Sequence, residues 1–108
     1  MSTKKIQILG QMTKNKARIA YVDLLAANWH IDEATGAYYQ IVEIDGTTEY
    51  SQVDLTPSIE QLVIFYDKDL GFVTENDSGE VKVYALGQKP ENDYTIQVTI
   101  TEVSVWRL

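Results

Sequence analysis

The amino-acid sequence predicts a mainly β protein, an antiparallel β-sandwich of about seven or eight short strands with one inserted α-helix at about residues 58–70. Apolar and polar residues alternate in short runs along most of the chain, which is the two-residue period of half-buried strands. Turn-forming Gly, Asp, Asn and Pro residues separate these runs at intervals of about 8–12 residues, as in sandwiches. A single stretch, between Thr56 and Gly71, has helical spacing instead.

Length and composition indicate one domain with a core large enough to fold without disulfides, since the chain has 108 residues and no cysteine. No apolar run approaches the roughly 18 residues of a membrane span, so neither a span nor a secretion signal is predicted. The net charge of −7 argues against nucleic acid as a partner, because phosphate binding relies on clustered Lys and Arg.

Positive charge is concentrated at the N-terminus. Residues 1–22 contain five basic and no acidic residues, whereas the remainder contains four basic and sixteen acidic ones. We therefore divide the chain into a basic arm, residues 1–16, and a sandwich domain, residues 17–108. The arm is either attracted to its own acidic domain or docks on an acidic partner or a neighbouring protomer, as an attachment or a swapped strand. The candidate docking residues are Lys4, Lys5, Lys14, Lys16 and Arg18.

The first strands are predicted at Lys5–Leu9 and at Arg18–Ala26. In the second of these, Ile19, Tyr21 and either Val22 or Leu24 compete for the core face. Since apolar residues occupy both parities here, the pattern favours a strand that is covered on both faces.

A loop and a hairpin are predicted next. Trp29 closes the preceding strand, and His30–Gly36 forms a loop. Tyr38–Ile44 is a strand with Tyr38 on one face and Tyr39 on the other. The pair Asp45-Gly46 is a strong turn signal, so Thr47–Leu55 is expected to return antiparallel to it.

The helix is predicted from its caps and its periodicity. Thr56-Pro57 ends the preceding strand, and Ser58 with Gln61 three residues later fits a capping box. Gly71 is expected at the C-terminal end, with the positive φ that this position needs. The residues expected to form the buried stripe are Ile59, Leu62, Val63, Tyr66 and Leu70.

The C-terminal third is predicted to be β. Phe72–Glu75 and Val81–Leu86 form a hairpin around the turn at Asn76–Gly79. Tyr94–Ile100 has the clearest alternation in the chain. The apolar parity changes after it, which predicts a bulge or bend near Thr101-Glu102.

No catalytic or metal-binding signature is found, so the protein is not expected to be an enzyme and no cofactor is expected. His30 is the only histidine, and a loop histidine beside acids is usually solvated. Asp67–Gly71 resembles the start of a calcium loop, but Ser78 stands where the bidentate Glu is required. Aromatic residues near one loop and the C-terminus are candidates for glycan stacking or for an interface: Trp29, Tyr38, Tyr39 and Trp106.

Several segments together resemble a known family. These are Val22–Trp29, Tyr39–Glu43, Ser51–Leu62 (SQVDLTPSIEQL), Val81–Ala85 and Lys89–Ile100 (KPENDYTIQVTI). In this order and spacing they resemble a small all-β module of bacteriophage and prophage tail, baseplate and head-fibre proteins from Gram-positive hosts. The resemblance covers about residues 20–102, and the opening KKIQILGQ is similar to the start of phage fibre-type proteins.

The resemblance implies a virion structural protein that assembles by symmetry, often as a trimer, and contacts other capsid or tail proteins. A short fibre, a decoration or a baseplate accessory fits better than a long tail fibre, because the module makes up most of this chain. It would be made in the bacterial cytoplasm and reside in the phage particle. The alternative function is a carbohydrate-binding module that recognises a host-surface glycan.

Overall fold

A computed structural model describes residues 15–103. They form two antiparallel sheets, with strand orders β1-β7-β4 and β2-β3-β6-β5, and one α-helix, so the predicted mainly β sandwich is confirmed. A 3₁₀ turn follows the first strand, at Ala26–Asn28. The elements are β1 (Asn15–Leu24), β2 (His30–Ile31), β3 (Tyr38–Val42), β4 (Ser51–Leu55), α1 (Ile59–Asp67), β5 (Leu70–Asp77), β6 (Glu80–Gly87) and β7 (Tyr94–Val103).

The core lies between the sheets and is built by alternation along the strands. In β7, which pairs with β1 on one side and β4 on the other, Ile96, Val98 and Ile100 are buried. In β6, every second residue is buried as well, from Val81 to Ala85. The two-residue period of these sequences explains the burial pattern. In a strand, successive side chains point to opposite sides, so one side covers the core and the other faces away from it.

The structure shows which residues of β1 face the core. Val22 and Leu24 are buried, whereas Ile19 and Tyr21 are 62% and 67% exposed. The prediction that this strand is covered on both faces is therefore wrong for the described residues. The strand begins at Asn15, so the last two residues of the predicted arm pair with β7. The predicted strand Lys5–Leu9 lies outside the described residues.

The predicted hairpin between β3 and β4 is wrong. The turn at Asp45-Gly46 is present, with Gly46 at φ +79° and the Thr47 amide donating to the Ile44 carbonyl. However, β3 pairs with β2 and β6, while β4 crosses to the other sheet and pairs with β7. A turn signal determines where the chain reverses but not which strand the next segment pairs with. Here a second turn, at Thr48–Ser51, directs the chain to the other sheet.

Side chains close both lateral openings of the sandwich. On one side, the buried Gln40 donates to the Leu25 carbonyl at 3.1 Å and accepts from the Leu25 amide at 3.3 Å. On the other side, Asn76 Nδ2 donates to the carbonyls of Thr48 and Ser51 at 2.8 and 2.7 Å. The polar groups of the strand edges are thereby satisfied where the sheets meet.

The predicted bulge near Thr101-Glu102 is wrong, because β1 and β7 stay in continuous register up to the pair Asn15 and Val103. The parity change has a polar cause. Glu102 follows Ile100 on the core side and accepts from Ser51 Oγ at 2.7 and 2.8 Å. Arg18 Nη2 lies 3.7 Å from the same carboxylate. The sandwich thus has a hydrogen-bonded polar end.

The helix lies at the opposite end, and its capping is as predicted. Ser58 Oγ accepts from the Gln61 amide at 3.2 Å, and Gln61 Oε1 accepts from the Ser58 amide at 3.2 Å. Lys68 is the C-cap, and Asp69 has the positive φ, +56°. The prediction for Gly71 is therefore wrong, since this residue already lies in β5.

The predicted buried stripe is wrong for Ile59, Leu62, Val63 and Tyr66, which are exposed, whereas Leu70 packs against the core from the start of β5. Of the nine residues of α1, all of which the structure describes, Phe65 alone is buried. Its ring packs edge-on against those of Phe72 and Tyr94, each at a centroid distance of 5.0 Å. Trp29, which is 7% exposed, stacks on Phe72 at 6.0 Å. This aromatic cluster closes the helical end of the sandwich.

Strand β5, which follows the helix, pairs with β6 at a position of β6 that requires glycine. Gly87 pairs with Leu70 and has φ +97°. A Cβ at Gly87 would lie 2.1 Å from the Asp69 carbonyl oxygen, so any side chain here would force the helix exit to move.

We expect Phe65→Ala to destabilise the fold by about 3–5 kcal/mol, because it removes the aromatic side chain that anchors the helix. Leu62→Ala, on the same helix but exposed, should change the free energy of unfolding by about 0.5 kcal/mol or less. Denaturant unfolding at low protein concentration measures both. Equal losses for the two variants would contradict the single-anchor packing of the helix.

Candidate interaction surfaces

An apolar groove runs between α1 and the start of β5; we call it the helix groove. It has a volume of about 420 Å³. Its floor is formed by strand residues and by the anchoring aromatic ring, and its wall by the helix. The residues used below to define it are Leu55, Pro57, Leu62, Tyr66, Leu70 and Phe72.

The helical wall of the groove is unusually exposed for its composition. Leu62 is 47% exposed and Tyr66 is 87% exposed, and Ile59 and Val63, beside them on the helix surface, are exposed as well. These four residues follow the i, i+3, i+4, i+7 spacing of a face that packs against a partner. A contiguous apolar patch of this kind on a monomer is typical of an interaction site.

The body that carries the groove is acidic. From residue 23 onward the chain contains sixteen acidic and four basic residues, and Asp69 lies beside Tyr66 and Leu70 of the groove. A smaller depression of about 220 Å³ at the helix exit is lined by both signs of charge, Asp67, Asp69 and Glu91 with Lys68 and Lys89. A ligand that combines apolar side chains with positive charge would match this surface.

A second surface is the outer face of the four-stranded sheet. His30, Tyr39, Tyr84 and Val73 are aligned in register across β2, β3, β6 and β5; we call this the tyrosine row. The ring centroids of Tyr39 and Tyr84 are 5.9 Å apart, and those of His30 and Tyr39 are 5.8 Å apart. Lys82 Nζ lies 5.6 Å from the centroid of Tyr39.

The pKa of Tyr84 is raised above its ordinary value. Partial burial disfavours the phenolate, and the Glu75 carboxylate, which accepts a hydrogen bond from Tyr84 Oη at 3.3 Å, disfavours it further. Lys82 acts in the opposite direction. Tyr84 therefore stays a neutral hydrogen-bond donor across the physiological range, and any stability that this interaction contributes is lost as pH rises through its pKa.

The predicted stacking aromatics do not form one platform. Trp29 is in the core, and its buried Nε1 has no hydrogen-bond partner among the described residues. Tyr38 packs against the core with Lys89 Nζ 5.8 Å from its ring centroid, whereas Tyr39 lies on the outer face. Trp106 lies outside the described residues. Tyr84 was missed by the sequence analysis, because its alignment with Tyr39 depends on the pairing of β3 with β6.

The predicted basic arm is described in part. Lys4, Lys5 and Lys14 lie outside the described residues, and Lys16 is in β1, opposite Glu102. Arg18 is half-buried and paired with Glu102, so its guanidinium belongs to the polar end of the sandwich. Of the five candidate docking residues, Arg18 is thus placed in the body.

Within residues 15–103, no three His, Asp or Glu side chains are grouped closely enough to hold a metal ion. None of the helices described there has the length and apolar composition needed to cross a bilayer. Comparisons with protein-family models, with curated proteins and with solved structures find no match to this chain.

We expect Glu75→Gln to lower the pKa of Tyr84, because the substitution removes the negative charge that disfavours the phenolate. The pKa should stay above its ordinary value, since the contribution of burial remains. Titration of the tyrosine ring carbons by NMR measures the change. Asp54→Asn, on the other sheet, is the control and should leave Tyr84 unmoved; an unchanged Tyr84 in the Glu75 variant would refute the contact.

Proposed function

We propose that this chain is a structural protein of a bacteriophage or prophage particle, a short fibre, decoration or baseplate-accessory subunit held in place by its neighbours. The sequence segments that resemble phage tail, baseplate and head-fibre modules suggest this class of protein. The observation that carries the proposal is the helix groove, whose apolar wall is not buried by the subunit's own fold.

The distribution of apolar surface fits a subunit that is completed by assembly. The helix exposes five large apolar side chains, and β1 exposes Ile19 and Tyr21 on its outer face. In a symmetric assembly such surfaces are removed from water, at about 25 cal/mol per Å² of apolar area buried. The acidic body and the basic N-terminal segment add charge complementarity between neighbours.

A second candidate function is glycan binding, and the tyrosine row favours it. Tyr39 and Tyr84 present neighbouring aromatic rings on the outer face of a sheet, with the polar groups of His30, Lys82 and Glu75 beside them. Aromatic faces flanked by hydrogen-bonding groups are suited to the apolar faces and hydroxyls of sugar rings. A virion protein with this surface could also contact a host glycan.

The virion role predicts that the tagged full-length chain co-sediments with phage particles induced from its host. Charge reversal in the arm, K4E/K5E/K14E, should reduce incorporation at least tenfold, because it removes the positive charge offered to acidic neighbours. The matched control, K68E/K82E/K89E, changes the net charge equally within the body and should be incorporated. Absence of the wild-type chain from purified particles would refute the virion role.

The glycan role predicts saturable binding on an array of bacterial cell-surface oligosaccharides. Tyr39→Ala and Tyr84→Ala should each weaken binding by about tenfold, which corresponds to loss of one stacking contact of about 1.4 kcal/mol. Tyr50→Ala, which alters an exposed tyrosine between β3 and β4, is the control. If all three variants bind as the wild type does, the tyrosine row is not a sugar site.

A further inference from the structure

We infer that the helix groove of one subunit binds the apolar part of the N-terminal arm, residues 4–9 (KKIQIL), of a second copy of this chain. The inference rests on the proposed function, because it describes a contact between subunits of a particle. It deepens that function by naming both surfaces of the contact. The groove has an apolar floor and wall on an acidic body, with Asp69 beside it, and the arm has the complementary composition.

The match begins with the apolar side chains. Ile6 and Ile8 are two residues apart, so in an extended segment both would point to one side at a spacing of about 7 Å. The groove offers a strand-derived floor at Leu55, Leu70 and Phe72 beside the helical wall. An extended segment fits such a cleft without repacking the domain, because the wall residues are already exposed.

Charge supports the same pairing. Residues 1–14 contain three lysines and no acidic residue, and two of these lysines immediately precede Ile6. Asp69 lies beside Tyr66 and Leu70 of the groove, and from residue 23 onward the chain contains sixteen acidic and four basic residues. The lysines next to the apolar anchors would therefore meet a predominantly acidic body, with Asp69 at the edge of the cleft, which favours this register over one that buries a lysine.

Chain length favours docking on a neighbour over docking on the same subunit. The arm joins β1 at Asn15, which pairs with Val103, whereas the anchor of the helix contacts Tyr94 at the other end of β7. Tyr94 and Val103, the two ends of β7, are about 30 Å apart, at about 3.3 Å per strand residue. Ile8 and Ile6 lie seven and nine residues before Asn15, so even a fully extended arm carries them at most about 24 and 31 Å from it. In the subunit's own groove Ile6 would only just reach this distance and Ile8 would stop short of it, so both anchors could not be seated there together.

Such an exchange is heterologous: each subunit offers an arm to one neighbour and a groove to another. Repeated around a closed axis, this contact generates a ring. The same contact would bury the wall at Leu62 and Tyr66, which the fold itself leaves exposed.

The test uses two full-length variants. I6D/I8D disables the arm, and L62D/Y66D disables the groove at residues whose exposure leaves folding intact. Analytical ultracentrifugation should show an oligomer for the wild type and at least tenfold weaker association for each variant. Mixing the two variants should restore a one-to-one heterodimer, because one intact arm then meets one intact groove. Circular dichroism checks that both remain folded.

A cross-linking experiment locates the contact, since the natural chain has no cysteine. Mixing Ile8→Cys with Leu62→Cys under mild oxidation should give a disulfide-linked heterodimer. Ile8→Cys mixed with Ile19→Cys, which is comparably exposed on β1, should give at least tenfold less product.

Three results would overturn the inference: a monomeric wild type at 100 μM or about that concentration, a monomeric mixture of the two variants, or association that is lost in Trp106→Ala but kept in I6D/I8D. All are measured on purified protein, so they are independent of incorporation into particles. A chain that enters particles but fails these tests would keep the proposed function and lose the arm contact.

Discussion

The packing of Phe65 determines what the rest of this molecule presents to its surroundings. One ring, held between Phe72 and Tyr94, fixes a nine-residue helix across the open end of the sandwich. Isolated helices of this length are marginal in water, so the helix depends on that contact and on its capping box. Because Phe65 is the only buried residue of the helix, and Gln61 adds a hydrogen bond to the Thr95 carbonyl, the remaining apolar residues of the helix are left exposed for another partner.

The two ends of the sandwich are closed by different chemistry. At the helical end, aromatic rings fill the space between the sheets, and burial from water stabilises them. At the other end, the carboxylate of Glu102 accepts from Ser51 Oγ and forms an ion pair with Arg18, whose Nη2 lies 3.7 Å away. The arm leaves from the polar end, so it departs at a distance from the groove that we assign to it.

The two candidate surfaces differ in how they arise. The helix groove follows from incomplete burial of an apolar element, whereas the tyrosine row follows from the alignment of four strands. The first offers nonpolar area and suits a protein segment, and the second offers ring faces and polar groups and suits a sugar. Both include residues of β5, but Phe72 and Val73 are neighbours in that strand and lie on its opposite faces, so assembly through the groove leaves Tyr39 and Tyr84 accessible.

The sequence alone determined the features that depend on neighbouring residues in the chain. The capping box at Ser58, the alternation that buries Ile96 and Val98, and the tight turn near Gly79 all follow from local sterics and hydrogen bonding. The tertiary structure alone decided that β4 leaves β3 for β7, because pairing between distant strands depends on which apolar faces meet.

The candidate sites divide in the same way. Aromatic residues and a basic arm were recognisable in the sequence, but their placement was not. A helical stripe at Ile59, Leu62, Val63 and Tyr66 has the same periodicity whether it faces its own core or a partner, so only the packing of Phe65 could show that it is exposed. Trp29 is buried and Tyr84 lies beside Tyr39 on the outer face for the same reason: burial depends on contacts between segments far apart in the chain.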